Sequence, residues 1–141
     1  MKIVNSNVAT EVVKQVESKF GQLHLFNKIA VVEFNEGVHI DLKAFKNTIN
    51  EINSYFNNKP FGLVANRVNS YSISLLDLKS VHNLMPNMKA YGIVTHDEAG
   101  LMNAVIESNF CGANNISFDN LYEGLYTVYN RVKQSIPYSL N

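Results

Sequence analysis

Two polar loops stand out in this sequence as groups of side chains that could do chemistry. The first spans residues 35–39 and the second spans residues 66–74, and each follows an apolar run. Such runs indicate strands, and open α/β sheets bind their ligands at the carboxyl ends of strands. We therefore take polar side chains of both loops as candidates for a binding or regulatory site. They are Glu36, His39, Asn66, Arg67, Asn69, Ser70, Tyr71, Ser72 and Ser74.

The second loop is the stronger candidate. It combines serines and a tyrosine with Arg67, one of two arginines in the chain, and it leads into a predicted helix. A helix N-terminus favours anions, so a phosphoserine here would be stabilised by the helix and by Arg67. The alternative is structural: Asn and Ser side chains satisfy loop backbone groups, and Arg67 pairs with a neighbouring carboxylate. Loops are polar for backbone reasons more often than for chemistry, which favours the structural alternative.

The usual signatures of catalysis and metal binding do not occur. The sequence has no P-loop and no G-x-G-x-x-G, G-x-S-x-G or H-E-x-x-H motif. No two histidines are spaced i, i+4 on one predicted helix, so we predict no metal, no cofactor and no catalytic residue. The scattered histidines are His24, His39, His82 and His96.

Two carboxylate pairs and the single cysteine have simpler explanations than catalysis. Helix capping accounts for Asp97 and Glu98, and catalysis is the less common role for the other pair as well, Glu33 and Glu36. Cys111 lies at the end of an amphipathic stretch, where a small buried hydrophobe is the more common role.

Composition narrows the class of protein. The 141 residues include 12 Lys+Arg and 12 Asp+Glu, which removes the basic surplus that nucleic-acid binding requires. A single cysteine cannot form an intramolecular disulfide. The sequence has no signal-peptide pattern and no run of about 18 apolar residues, so we expect a cytoplasmic protein without a membrane span. No linker or repeat divides residues 1–141, which predicts a single domain.

Alternating apolar runs and amphipathic stretches predict an α/β fold. An antiparallel hairpin is followed by three helix–strand repeats and a closing helix, so the sheet is mixed, mainly parallel and covered by about four helices. The predicted strands are residues 22–26, 29–34, 61–66, 88–94 and 115–118. Residues 8–20 fit either a helix or a strand, and we take them as a strand.

Capping residues mark the predicted helix starts. Asp41 and Asp119 are expected as N-caps of the first and last helices, and Ser74–Asp77 and Thr95–Glu98 match the capping-box pattern. The third helix is expected to bury its apolar residues and to end near residues 111–112, and Pro137 begins the tail. Those apolar residues are Leu101, Met102, Val105 and Ile106.

A row of tyrosines follows the apolar stripe of the last helix. Tyr122, Tyr126 and Tyr129 have helical spacing. Such rings most often pack at a sheet edge, and the alternative is a surface for self-association or for a partner.

The order of elements, together with the two loop sequences Asn35-Glu36-Gly37-Val38-His39 and Asn66-Arg67-Val68-Asn69-Ser70-Tyr71-Ser72, resembles the SpoIIAA-like (STAS) family of bacterial regulatory domains. The resemblance covers residues 12–132 and is greatest to small stand-alone bacterial members. It implies a mixed sheet with surrounding helices, a non-enzymatic role and a protein partner. Anti-sigma-factor antagonists of that family are phosphorylated on a serine at the start of the helix after the central strand.

The sequence departs from the phosphorylation motif of that family. The Asp-Ser-Ser/Thr-Gly pattern is missing, Asn66 replaces the usual aspartate, and no glycine follows any of the three serines between Ser70 and Ser74. No single phosphosite is therefore carried over. The superfamily shape is also similar to the lipid-carrying CRAL-TRIO domains, which implies the alternative of a small apolar ligand.

These observations lead to three hypotheses about function. The first is a regulatory or protein-interaction module that contacts an unknown protein partner through residues 66–74. A homodimer is a further form of association that the sequence leaves open. The second is binding of a small apolar ligand or lipid. The third is an enzyme, which would gain support if Glu36 and His39 converged with Arg67 in a closed cleft and showed shifted pKa values.

Overall fold

A computed structural model describes residues 1–111 and 116–136 of the chain. An N-terminal segment, residues 1–11, contains two short 3-10 turns and precedes the first strand. The strands are β1 (Lys14–Ser18), β2 (Gly21–Leu25), β3 (Ile29–Phe34), β4 (His39–Ile40), β5 (Phe61–Arg67), β6 (Ser72–Ile73), β7 (Met88–Thr95) and β8 (Ser117–Phe118). The helices are α1 (Leu42–Phe56), α2 (Leu75–Asn83), α3 (Glu98–Cys111) and α4 (Leu121–Gln134).

The main sheet confirms the α/β class predicted from the sequence. Its six strands lie in the order β1-β2-β3-β5-β7-β8. The pairings of β2 with β1 and β3 are antiparallel, and the pairings from β3 through β5 and β7 to β8 are parallel. The central strand β5 is buried along its whole length, as its apolar sequence predicts.

Helices cover the two faces of the sheet unequally. On one face, α1 and α2 pack on the larger hydrophobic core, and α3 adds a smaller cluster around Ile93 and Ala104. On the opposite face, α4 and the N-terminal segment enclose a second core, into which Ile3 inserts completely. The carboxyl ends of β3, β5 and β7 therefore have different neighbours on the two faces.

Glycines allow α4 to lie close to the sheet. A Cβ atom at Gly92 would be 2.8 Å from Cγ2 of Val128, and one at Gly124 would be 2.8 Å from Cγ2 of Val94. Side-chain carbons do not approach that closely in folded proteins, so any larger residue at either position would push the helix outward.

Two of the expected helix caps are corrected by the structure. Asp41 is confirmed as the cap of α1, because its Oδ1 accepts the N–H of Ala44 at 2.8 Å. In contrast, Asp119 does not cap α4: Asn120 does, accepting the N–H of Glu123 at 3.1 Å. The capping box expected at Thr95 and Glu98 is also corrected, because Thr95 belongs to β7. Asp97 caps α3 instead, and its side chain accepts the N–H of Gly100.

The capping box expected at Ser74 and Asp77 does not form. Ser74 occupies the N-cap position of α2, but its side chain makes no capping bond. The carboxylate of Asp77 instead accepts the N–H of Leu42 at 3.0 Å, at the start of α1. A residue expected to cap its own helix therefore joins α2 to α1.

Other predictions were partly right. Of residues 8–20, residues 14–18 form a strand and residues 9–11 form a 3-10 turn. The apolar residues Leu101, Met102 and Ile106 of α3 are exposed, because Ala104 and Glu107 face inward instead. Predictions for residues 112 and 115, for Pro137 and the tail, and for the side chains of Val105 and Cys111 lie outside the described parts of the chain.

No helix in the described ranges has the length and apolar character that crossing a membrane requires.

Candidate functional site

The two polar loops meet at the carboxyl edge of the sheet and are bonded to each other. Strands β4 and β6, one from each loop, pair in parallel as a separate two-stranded sheet. The N–H of Gly37 donates to the carbonyl of Ser70 at 2.7 Å, and the N–H of Ser74 donates to the carbonyl of Ile40 at 2.8 Å. We call these two bonded segments, residues 35–40 and 68–74, the joined loops.

Side chains of both loops add to this bonding. The carboxylate of Glu36 accepts the N–H of Ser70 at 2.7 Å, and the side-chain amide of Asn69 donates to the carbonyl of Phe34 at 3.0 Å. A 2.7 Å hydrogen bond joins Nδ1 of His39 to Oγ of Ser72. These contacts support the structural interpretation of the loop polarity, while Glu36, His39, Ser70 and Ser72 remain exposed.

A polar cleft of about 190 Å³ lies between the joined loops and the start of α3. Glu36, Arg67, Ser70 and His96 are among its lining residues, and His39 is not. The structure thus brings Glu36 to the same cleft as Arg67, but it does not bring His39 there.

Arg67 is buried on the face covered by α1, α2 and α3. Its guanidinium forms an ion pair with Glu107 of α3, donates to the carbonyl of Tyr71 at 3.2 Å and lies 4.3 Å from the centre of the Tyr71 ring. The neighbouring carboxylate expected for Arg67 therefore exists, and it is Glu107. No local pattern in the sequence identifies Glu107 as this partner, because the two residues are 40 positions apart.

This ion pair leaves two buried polar atoms without a hydrogen-bond partner in the described parts of the chain. They are Oε2 of Glu107 and the hydroxyl of Tyr71. Burial raises the pKa of Glu107 despite the attraction of Arg67, and burial likewise raises the pKa of Tyr71.

Asn66 belongs to a second buried polar group, on the face covered by α4. Its side-chain N–H₂ donates to Oε2 of Glu33 at 2.7 Å and to the carbonyl of Met1 at 2.8 Å. Oε1 of Glu33 lies 2.9 Å from Nε2 of His24, and the N–H of Ile3 donates to Oε2 of Glu33 at 2.9 Å. We call His24, Glu33, Asn66 and His96 the buried polar chain, although His96 itself is exposed.

Glu33 is ionised in this environment. Burial alone would raise its pKa, but the hydrogen bonds from His24, from the backbone of Ile3 and from Asn66 outweigh burial and hold the pKa below its usual value. The carboxylate thus fixes the N-terminal segment on the sheet. This role cannot be predicted from the sequence, since Glu33 and Asn66 are 33 positions apart.

The hydrogen bonds of Asn66 also fix the tautomer of His96. Because the N–H₂ of Asn66 donates to two acceptors, its Oδ1 must accept the third bond, which Nε2 of His96 makes at 3.0 Å. Nε2 therefore carries a hydrogen, and the neutral ring is the Nε2–H tautomer. Burial lowers the pKa of His96, which favours this neutral form.

The described residues contain no group of three or more His, Cys, Asp or Glu side chains arranged to hold a metal ion. No protein-family model matches the sequence, and no curated protein matches it closely enough to count as a relative.

Proposed function

We propose that this protein is a cytoplasmic, non-enzymatic regulatory module that binds a protein partner through the joined loops. The observation that carries the proposal is the bonding of the two loops into a sheet of their own, with Glu36, His39, Ser70 and Ser72 exposed on it. Loops held on a rigid scaffold are where proteins most often place binding residues. The proposal agrees with the resemblance to SpoIIAA-like (STAS) regulatory domains.

Exposed apolar side chains at the same edge support a protein partner. Helices α2 and α3 both begin at the carboxyl edge of the sheet, and their first two turns carry Leu76, Leu101 and Met102. Leu76 is 89% exposed and Met102 is 68% exposed, which is unusual for large apolar residues. Polar loops beside exposed apolar residues match the composition of protein interfaces.

The contacts of the most reactive candidates support a non-enzymatic role. Arg67 is held by Glu107, Asn66 is held by Glu33 and the N-terminal segment, and His39 is bonded to Ser72 outside the cleft. Each of these side chains has a structural partner that accounts for its position. The convergence of Glu36 and His39 on Arg67, which would favour an enzyme, is absent from the cleft because His39 does not line it.

Phosphorylation would act differently from the expectation based on Arg67. Arg67 is buried and paired, whereas the exposed hydroxyl of Ser72 already contacts His39. A phosphate on Ser72 would place negative charge against that imidazole and beside the backbone bonds that join the loops. Phosphorylation of Ser72 would thus change the contact between Ser72 and His39, and with it the shape of the contact surface.

The proposal can be tested by cross-linking the protein to its partners in cells and quantifying the captured proteins. Met102→Ser and Ser72→Asp each change the proposed surface, and we expect both to lose the same captured protein. Val13→Ser is the matched control, because Val13 is 66% exposed and lies next to β1, at the other end of the sheet.

The proposal would be overturned if neither surface variant changed the set of captured proteins. This comparison requires that each variant unfolds at the same denaturant concentration as the parent. A protein lost equally with Val13→Ser would also count against it, since the loss would not depend on this surface.

The alternative of an apolar ligand within the larger core is not favoured. The cavity between the sheet and helices α1 and α2 measures about 40 Å³. This volume suits water-sized molecules and is far below the several hundred Å³ typical of ligand pockets.

A further inference from the structure

A groove of about 520 Å³ runs along α4 on the other face of the sheet, where it faces the N-terminal segment and the turn between β2 and β3. Its lining includes Phe26, Leu125, Tyr126 and Tyr129, so the row of tyrosines noted in the sequence forms one wall. The volume lies within the range of small-molecule sites.

Hydrogen bonds fix the walls of this groove. The N–H of Asn7 donates to the hydroxyl of Tyr122 at 3.0 Å, which ties the N-terminal segment to α4. The hydroxyl of Tyr55 donates to the carbonyl of Phe26 at 3.1 Å, which holds the turn from the opposite face. These bonds hold the N-terminal segment and the β2–β3 turn on two sides of the groove, and the ring of Tyr126, which is 70% exposed, is open to a ligand.

A single half-buried cation lies among the aromatic rings of the groove. Lys28 lines it, and its ammonium has no ion pair and no hydrogen bond within the described parts of the chain. Lys133 lies nearby, 5.4 Å from the centre of the Tyr129 ring. The one lining carboxylate, Glu11, is exposed and is not paired with Lys28. Lys28 therefore offers a cation at the groove that no side chain of the described residues neutralises, and an acidic group of a ligand could pair with it.

We propose that this groove binds a small amphipathic anion, a molecule with an apolar ring system and one acidic group. The rings of Phe26, Tyr126 and Tyr129 contact the apolar body, and Lys28 pairs with the acidic group. Aromatic side chains supply contact area, and the charge-assisted pair fixes the orientation of the ligand. This site is separate from the joined loops and does not depend on the proposed protein partner.

Two related dyes test the proposal directly. Anilinonaphthalenesulfonate and phenylnaphthylamine share one ring system, but only the first carries an acidic group. Both become fluorescent in apolar sites, so their affinities can be measured on the folded protein. We expect the sulfonate dye to bind more tightly, and naphthoate to displace it.

Substitutions at Lys28 separate charge from packing. We expect Lys28→Met to weaken the sulfonate dye about fivefold, the effect of losing one partly exposed ion pair, and to change the neutral dye less than about twofold. Lys28→Arg should restore the affinity. Glu11→Gln should leave it unchanged or strengthen it. Tyr126→Ser, which removes a ring, should weaken both dyes.

Lys43→Met is the matched control, because Lys43 is an exposed lysine of α1, away from this groove. Three results would overturn the proposal. The first is that Lys28→Met weakens the binding of both dyes equally, and the second is that Lys43→Met lowers the affinity for the sulfonate dye as much as Lys28→Met does. The third is that dye is released as the protein self-associates at higher concentration. The last result, read by sedimentation, would mean that a second copy of the chain covers the groove. Dye binding is compared only among variants with the unfolding midpoint of the parent, since partly unfolded chains also bind such dyes.

Discussion

Asn66 and Arg67 are neighbours at the end of β5, yet their side chains enter opposite faces of the sheet and two different polar environments. On the α4 face, the N–H₂ and the carbonyl oxygen of Asn66 are all bonded, to Glu33, to Met1 and to His96. On the α3 face, Arg67 is bonded as well, but its surroundings leave Oε2 of Glu107 and the hydroxyl of Tyr71 unpartnered in the described parts of the chain.

The difference separates two ways of burying a charge. Glu33 accepts hydrogen bonds from His24 and Asn66 of the buried polar chain and from the backbone N–H of Ile3, so its ionised form is favoured and its pKa is lowered. Glu107 is attracted by the positive charge of Arg67 but accepts fewer hydrogen bonds. The effect of burial therefore exceeds that of Arg67, and the pKa of Glu107 is raised. Substitutions in the two regions should therefore differ in size, in pH dependence and in sign.

Removal of Arg67 should have the largest effect. Arg67→Met leaves the carboxylate of Glu107 buried without a counter-charge, and loss of one partner from a buried ion pair costs about 3–5 kcal/mol. We expect the free energy of unfolding, measured with urea, to fall by that amount.

The matched control is the double variant Arg67→Met with Glu107→Leu, which removes both charges together. It should recover most of the loss, because apolar pairs of similar volume replace buried ion pairs at little cost. If the single variant loses less than about 1 kcal/mol, the pair contributes no more than a surface ion pair.

Glu33→Gln should have an intermediate effect. The amide cannot accept all three hydrogen bonds as a carboxylate does, so we expect a loss of about 1–3 kcal/mol at neutral pH. Because the pKa of Glu33 is below its ordinary value of 4.5 in the folded protein, the stabilisation is complete above that pH and disappears as the pH falls through the folded pKa.

The free energy of unfolding of the parent and of Glu33→Gln is therefore measured at neutral pH and in steps below pH 4.5. The neutral value gives the size of the loss, and the two free energies should converge in acid. Glu36→Gln is the control, because the Glu36 carboxylate is exposed and bonds a single backbone N–H. A gap between parent and Glu33→Gln that widens on acidification would contradict the ionised state of Glu33.

Tyr71→Phe should have the smallest effect and the opposite sign. It removes a buried hydroxyl that has no partner among the described residues, so the free energy of unfolding should stay constant or rise by up to about 1 kcal/mol. Tyr55→Phe is the matched control and should lose about 1 kcal/mol, because the Tyr55 hydroxyl donates to Phe26. A loss at Tyr71 as large as at Tyr55 would indicate that an ordered water satisfies the Tyr71 hydroxyl.

Local patterns predicted the elements of the fold well. Helix α1 follows from Asp41 and from the spacing of Phe45, Ile49, Ile52 and Phe56, since these features act within one or two turns. Strand β5 follows from its uninterrupted apolar run. Helix α3 shows the limit of such patterns: its inward face is set by Ala104 and Glu107, and no single-chain periodicity identifies a charged residue as a buried one.

The site was less predictable, because its contacts join distant residues. Arg67 and Glu107 are 40 positions apart, and His39 and Ser72 are 33 positions apart. Strands β4 and β6 are two residues each, too short for an alternating pattern. The sequence identified the loops and the need of Arg67 for a carboxylate, but only the packed sheet determines which carboxylate is near.

The pairing of β4 with β6 has a consequence for the thermodynamics of binding. Ordering a free loop costs about 1–2 kcal/mol of conformational entropy per residue. A complex that forms on a mobile loop is weakened by this cost. Here the folding of the chain has already ordered both loops. A partner that fits the joined loops would therefore bind a nearly rigid surface, with tight association from a modest contact area and little change in loop backbone between the free and bound forms.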